Sequence, residues 1–402
     1  MAEPGIARPM RKILTIADSY PRPDQASGDL RFFTLLSLMA REYEVVFCAL
    51  NAEGAVKARD QAGVGLERIG ITLGEVDLLH TLGQFTPDIV WFEFHHQVRR
   101  DYLSLIERHC PKARIVVDSV DVHFNRLEAH ARLTGKAEDQ EAANAMKVRE
   151  LAAYACADMV IAVTVADSRL ILEELPRTRV AVVPNIHDIP AFPDPLKRNP
   201  GELLFVGGFK HDPNVDAVLY FCREIMPRIV AIRPQTCLKI IGSHPPREIF
   251  TLASAAIAVA GYVPNMAPHL ESAFISIAPL RYGGGMKGKV GEAMSYGIPV
   301  VTTRFGAEGF GLEPEHDLLI GDTPEDFATQ VVRLLDDAEL HARIAKNGYD
   351  FIERCYSVPV VAGLLDACLR QLAELPRRSW TSRVLAPLRT LYRRQLEWRF
   401  QR

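Results

Sequence analysis

Two doubly wound α/β domains facing each other across a cleft are the fold that this sequence predicts. Three observations carry that expectation. The first is length: 402 residues exceed what one ordinary hydrophobic core holds, and two domains are the natural division. The second is the recurrence of short β-branched, apolar runs, each followed by a longer stretch with helical spacing, which is the pattern of βαβ units and a parallel sheet. The third is a proline-rich break near the middle of the chain.

In the first half the strand candidates are Ile13–Ala17, Tyr43–Ala49, Ile89–Phe92, Ile115–Asp118, Met159–Val163 and Val180–Val183, with helices such as Asp29–Arg41 and Ala137–Ala155 between them. In the second half they are Leu203–Val206, Leu238–Ile241, Ala256–Ala260, Phe274–Ala278, Pro299–Thr302 and Leu318–Ile320. The break runs from Asp188 through Pro190, Pro193 and Pro195 to Asn199-Pro200-Gly201, where successive prolines remove backbone donors and fix φ. Residues 1–190 and 200–358 are therefore read as two Rossmann-like domains. Residues 359–402 are read as helices that pack back on the N-terminal domain. Open α/β sheets bind ligands outside the carboxyl ends of their strands, so the site is expected between the domains.

Composition narrows the partners. Hydrophobic residues make up 48% and charged residues 24%, and the net charge of -3 lacks the basic excess that nucleic acid requires. Seven scattered cysteines form no C-x-x-C pair and read as small core residues in a reducing compartment. The apolar run Ile13 to Ala17 is too short for a signal-peptide core, and no segment approaches the ~20 apolar residues of a membrane-spanning helix. A cytoplasmic body is the expectation. From Arg377 to Arg402, eight arginines oppose one acid, Glu397, and Leu385, Leu388, Tyr392 and Leu396 share a helical stripe. That end either packs its stripe on the N-terminal domain with its arginines in water, or lies peripherally on the inner face of an anionic membrane.

The segment richest in chemistry runs from Arg281 to Val301. A strand end leads through Gly283, Gly284 and Gly285 to Met286, Lys287, Gly288 and Lys289, then into a helix carrying Glu292, which closes at Gly297 before Pro299. Glycines let backbone N–H groups approach an anion, a helix N-terminus adds partial positive charge, and the two lysines add full charges. Such a site suits a diphosphate. A carboxylate at Glu292 suits ribose hydroxyls.

At these residues the sequence resembles the retaining glycosyltransferases of family 4, the "group 1" set with the GT-B architecture. Pro184-Asn185, Val206-Gly207-Gly208, Ile240-Ile241-Gly242 and Gly261-Tyr262-Val263 extend the resemblance over nearly the whole chain. It implies ribose binding by Glu292, a nucleotide base near Tyr262 and Val263, and a glycine near Gly28 against the donor phosphates. Two positions depart from the family pattern. The carboxylate usually found eight residues before Glu292 is replaced by Gly284, where backbone amides of Gly284 to Lys287 would serve the sugar instead. The usual Arg/Lys pair of the first loop is replaced by Lys210 and His211.

In the N-terminal half, Gly28 is either that phosphate-facing glycine or a turn residue before an Asp29 N-cap. Asp121, His123 and Arg126 follow a strand end, where they would orient an acceptor, contact hydroxyls and neutralise phosphate; His95, beside His96 and Glu93, is a further acceptor-side candidate. With Lys289, His123 and Asp121 are the expected catalytic groups. No metal site and no cofactor are expected.

The expected activity is transfer of a sugar from a UDP- or GDP-linked donor to a hydroxyl of a glycan or lipid-linked acceptor, with retention as the resemblance implies. A sugar-nucleotide epimerase of the same fold would use the same donor cleft without an acceptor. A catalytically inactive nucleotide-sugar-binding protein would retain the cleft and lack the chemistry. Cell-surface polysaccharide or glycolipid synthesis is the setting that the resemblance suggests.

Overall fold

A computed structural model describes residues 11–23, 27–51, 64–74, 78–193, 198–283, 286–376, 378–379 and 381–383. Two parallel sheets organise it, one of seven strands and one of six. The first contains β1 (Lys12–Ala17), β2 (Glu44–Ala49), β3 (Thr72–Leu73), β4 (Ile89–Phe92), β5 (Arg114–Ser119), β6 (Met159–Ala162) and β7 (Val180–Val182), in the order β3-β2-β1-β4-β5-β6-β7. The second contains β8 (Glu202–Val206), β9 (Cys237–Ile241), β10 (Ile257–Gly261), β11 (Ile275–Ala278), β12 (Val300–Thr302) and β13 (Leu319–Ile320), in the order β10-β9-β8-β11-β12-β13.

The strands are apolar without alternation because helices cover both faces of each sheet. On β1, Ile13 packs into one core with Phe32, Leu35 and Trp91, while Leu14 and Ile16 pack into another with Val90, Phe92 and Val117. In both sheets the winding reverses once. The reversal falls between β1 and β4 in the first sheet and between β8 and β11 in the second, and beside each the loops leaving neighbouring strands diverge to opposite faces and open a crevice.

The chain passes between the sheets twice. His187, on the way out, donates its N–H to the Tyr356 carbonyl at 3.0 Å on the way back. The helix Val358–Glu374 then buries Val361, Leu365, Cys368, Leu369 and Leu372 in the same core as Ile13 and Phe32. Beyond it, two of the tail arginines do not face water as the sequence suggested. Arg383 is buried against Asp158 at 2.8 Å, and Arg378 donates to the Ala155 and Ala157 carbonyls that end the helix Ala137–Cys156. Bare carbonyls at a helix C-terminus attract guanidinium groups. Residues 384–402, with the apolar stripe, lie outside the described residues.

Two further differences from the sequence reading are local. The strand Thr72–Leu73 is too short to leave a periodic signal. The first helix, Ser27–Met39, begins earlier than expected, so Gly28 sits in its first turn and Asp29 is not its N-cap; the Asp29 carboxylate accepts the Arg22 N–H at 3.1 Å. Among the described residues no helix is long and apolar enough to cross a membrane.

Candidate functional site

At the reversal of the second sheet, the loop after β11 carries Gly283 to Lys287 and the helix Gly288–Ser295 rises from it. Gly297 ends that helix at φ +60°, where a β-carbon would be strained. The loop after β8 is fastened by Asn214, which donates to the Gly208 carbonyl at 2.7 Å and accepts from Lys289 Nζ. Lys289 Nζ also lies 4.7 Å from the centre of the Phe205 ring. Burial, with help from the Lys287 charge, pulls the Lys289 ammonium down to about 7, and burial pushes Glu292 up to about 7 against the pull of Lys289. An anion placed here stabilises the charged lysine and is repaid in binding energy.

Lys287 is 8% exposed, with Nζ 4.2 Å from the Phe305 ring centre and 3.9 Å from Glu308 Oε2. Burial lowers its pKa, and the acids Glu308, Asp167 and Asp121 oppose that shift; the last two belong to the other domain. Met286 is buried, and its carbonyl accepts from Asn185 at 3.4 Å. Tyr262, 47% exposed, and half-buried Val263 follow the end of β10. Lys210 is exposed on the β8 loop. Gly284 and Gly285 lie outside the described residues.

The two domains meet here closely. A β-carbon built on Gly288 would stand 2.4 Å from Ser27 Cβ, so the N-terminus of the first helix abuts the N-terminus of the glycine-loop helix. One on Gly291 would stand 2.2 Å from Nε2 of His187, which is 4% exposed and has no hydrogen-bond partner for that nitrogen among the described residues. Only glycine fits at either place. Gly28 faces Val120, and the His130 and Tyr282 rings meet at a tilt with centres 5.0 Å apart.

On the N-terminal side the helix His123–Thr134 starts at the carboxyl end of β5. Its first N–H groups, on His123 and Phe124, donate at 3.0 and 2.9 Å to the carboxylate of Glu150, which also accepts from Tyr154 Oη at 2.6 Å. Glu150 is fully buried, and that burial raises it to about 7. His95 packs edge-on to His123 at 4.9 Å. Burial holds His95 at about 3 and His123 at about 4, so both rings are neutral at pH 7. Asp121 accepts from Arg126 Nε at 2.8 Å, which places the two as an ion pair and not as independent groups.

Residues 200–337 match the family model described as glycosyl transferases group 1. The match lies within the second sheet's domain and covers about a third of the chain. A 44.6 kDa protein in the cps region of Klebsiella pneumoniae is 25% identical over 163 residues, spanning 38% of this chain and 42% of that one. Sucrose-phosphate synthase from Thermosynechococcus elongatus superposes with a TM-score of 0.67 at 15% identity, covering 90% of this chain and 99% of that chain. Anabaena HepE, solved with UDP and glucose, superposes with a TM-score of 0.64 at 13% identity over 91% and 100%. These likenesses show the fold: the chain has the GT-B arrangement of two Rossmann-like sheets.

Where its two domains meet the chain thus gathers Gly28, Gly283, Met286, Lys287, Lys289, Glu292, Asp121, His123 and Arg126, while His95 lies deeper behind His123. Sequence reasoning assigned no role to Asn214, Glu150 and His187, and met Glu93 only as a neighbour of His95. Nothing in their local pattern marks them, because each acts on a segment distant in the chain.

Proposed function

We propose that the chain transfers a sugar from a nucleotide diphosphate donor, UDP- or GDP-linked, to a hydroxyl acceptor, with retention and without a metal ion. The observation that carries this reading is the adjacency, at the reversal of the second sheet, of a glycine loop, a helix N-terminus and the buried Lys287 and Lys289. As the bond from the anomeric carbon to the diphosphate breaks, charge grows on the leaving oxygen. Groups already aimed at it stabilise that charge without reorganising. Gly28, in the first turn of the opposing helix, adds a second helix N-terminus to the same place. Glu292 binds the ribose, and Tyr262 and Val263 flank the base. Retention rests on the family. The UDP in HepE and the cps-region relative support a UDP-linked donor and a role in surface polysaccharide synthesis, with a glycan or lipid-linked acceptor.

A panel of nucleotides and nucleotide sugars tests the reading through the melting temperature, since a ligand of the folded state raises it with the logarithm of concentration over Kd. One diphosphate donor should stabilise the native chain and fail on Glu292→Ala. No shift from any nucleotide at saturation would remove the donor site. Epimerised donor formed without an acceptor would reassign the chain to sugar-nucleotide epimerisation.

A further inference from the structure

We propose that Glu93, at the reversal of the N-terminal sheet, is the anchor of a subsite that binds a neutral, hydroxyl-bearing acceptor and rejects one with a phosphate next to the reacting hydroxyl. The inference rests on the sugar-transfer reading and names the acceptor class of that same cleft. Glu93 follows β4 directly, and its N–H donates to the Ile16 carbonyl at 3.0 Å, so it sits at the β1–β4 reversal. It is 7% exposed, and among the described residues its carboxyl group has neither a hydrogen bond nor an ion pair. A buried carboxyl left without a partner costs stability unless something else fills the place. Alternation along β4 sets Glu93 on the face of Trp91, the side covered by the helix Ser27–Met39, whose first turn meets the donor loop.

The surrounding charges choose the ligand. Asp18, Asp29 and Asp118 all act on Glu93 as like charges, and Arg31 is the opposing cation. Arg31 is fully committed: it donates to Asp118 at 2.8 Å and to the Val183 and Pro184 carbonyls. The nearby His96 ring is bonded to Asp18. A phosphate would meet carboxylates here, and Arg31, the cation that acts on Glu93, is already committed. A sugar hydroxyl would find acceptors, and Glu93 gains the partner that it lacks.

The test uses the full chain saturated with UDP, or with GDP if that binds instead. Saturation-transfer NMR is read on methyl glycosides of the common neutral hexoses and on the matching hexose 6-phosphates, for the native chain, Glu93→Gln and Glu93→Ala. At least one neutral glycoside should bind the native chain and its 6-phosphate should not. Glu93→Ala should weaken that glycoside at least tenfold, and Glu93→Gln, which keeps a hydrogen-bonding oxygen, severalfold. Nucleotide affinity should be the same in all three, and Glu93→Gln should melt no lower than the native chain. Equal glycoside binding by the native chain and Glu93→Ala, preference for the 6-phosphates, or no glycoside bound while the nucleotide binds, would each overturn the subsite alone. Absence of nucleotide binding in the native chain would instead overturn the donor site on which it rests.

Discussion

The two sheet reversals of this protein have the same winding and opposite chemistry. At β8–β11 the strand ends lead into glycines, two lysines and a helix N-terminus. At β1–β4 they lead into Asp18, Glu93 and, one strand over, Asp118, with Arg31 consumed by the fold. On the reading proposed above, one crevice suits an anion and the other hydroxyl groups. The lesson is that a doubly wound sheet supplies the place, and the residues just past its strand ends decide what is bound there.

Breaking the cationic side should give the largest effect. Lys287→Met combined with Lys289→Met should weaken UDP or GDP binding by about 100-fold, the loss of two charge-assisted contacts, in calorimetric titration. An unchanged Kd would place the diphosphate elsewhere. Next in size is the opposing first-turn contact: Gly288→Val should drive the two helix N-termini apart at Ser27 and cut transfer by about 30-fold, roughly 2 kcal/mol. Its nucleotide affinity should fall less than its turnover.

A stability change confined to the acidic side sharpens the contrast. Glu150→Ala removes the acceptor of the His123 and Phe124 N–H groups and should cost about 2 to 4 kcal/mol in urea unfolding. UDP affinity of the folded fraction should stay as it was. A pH series separates the sides more gently. Lys289, held near 7, loses its proton as pH rises through that value, so diphosphate affinity should drop severalfold from about pH 6 to about pH 8.5. In Lys289→Met the slope should flatten, and a slope that persists would assign it to another group.

The smallest effect is on Glu93. Its pKa is raised by burial first and then by Asp29, Asp118 and Asp18, with Arg31 opposing. A carboxyl raised in the folded state destabilises the fold as pH climbs above its unfolded value of 4.5. Glu93→Gln should therefore gain about 1 to 3 °C in melting temperature over the native chain above that pH, and the gain should vanish below it.

Much of the fold was legible because parallel strands buried on both faces read as uninterrupted apolar runs: Ile89–Phe92 was found to the residue and the other named strands to within one residue at each end, while Thr72–Leu73 was missed. The glycine loop, Lys289 and Glu292 were legible because their chemistry lies within one short segment. Glu150, Asn214 and His187 were not, since they reach partners 26, 75 and about 100 residues away, and no periodicity records such pairings. Glu93 was seen only as a neighbour of His95, because its meaning depends on carboxylates gathered from the ends of three strands and one helix.

The most direct measurement is a crystal structure of the full chain with UDP, or with GDP if that is the tighter ligand. The diphosphate should lie against the N-terminus of the helix Gly288–Ser295, within reach of Lys287 and Lys289, with the ribose on Glu292 and the crevice at Glu93 free of phosphate. A nucleotide bound at the β1–β4 reversal, or one that leaves both lysines untouched, would contradict the account.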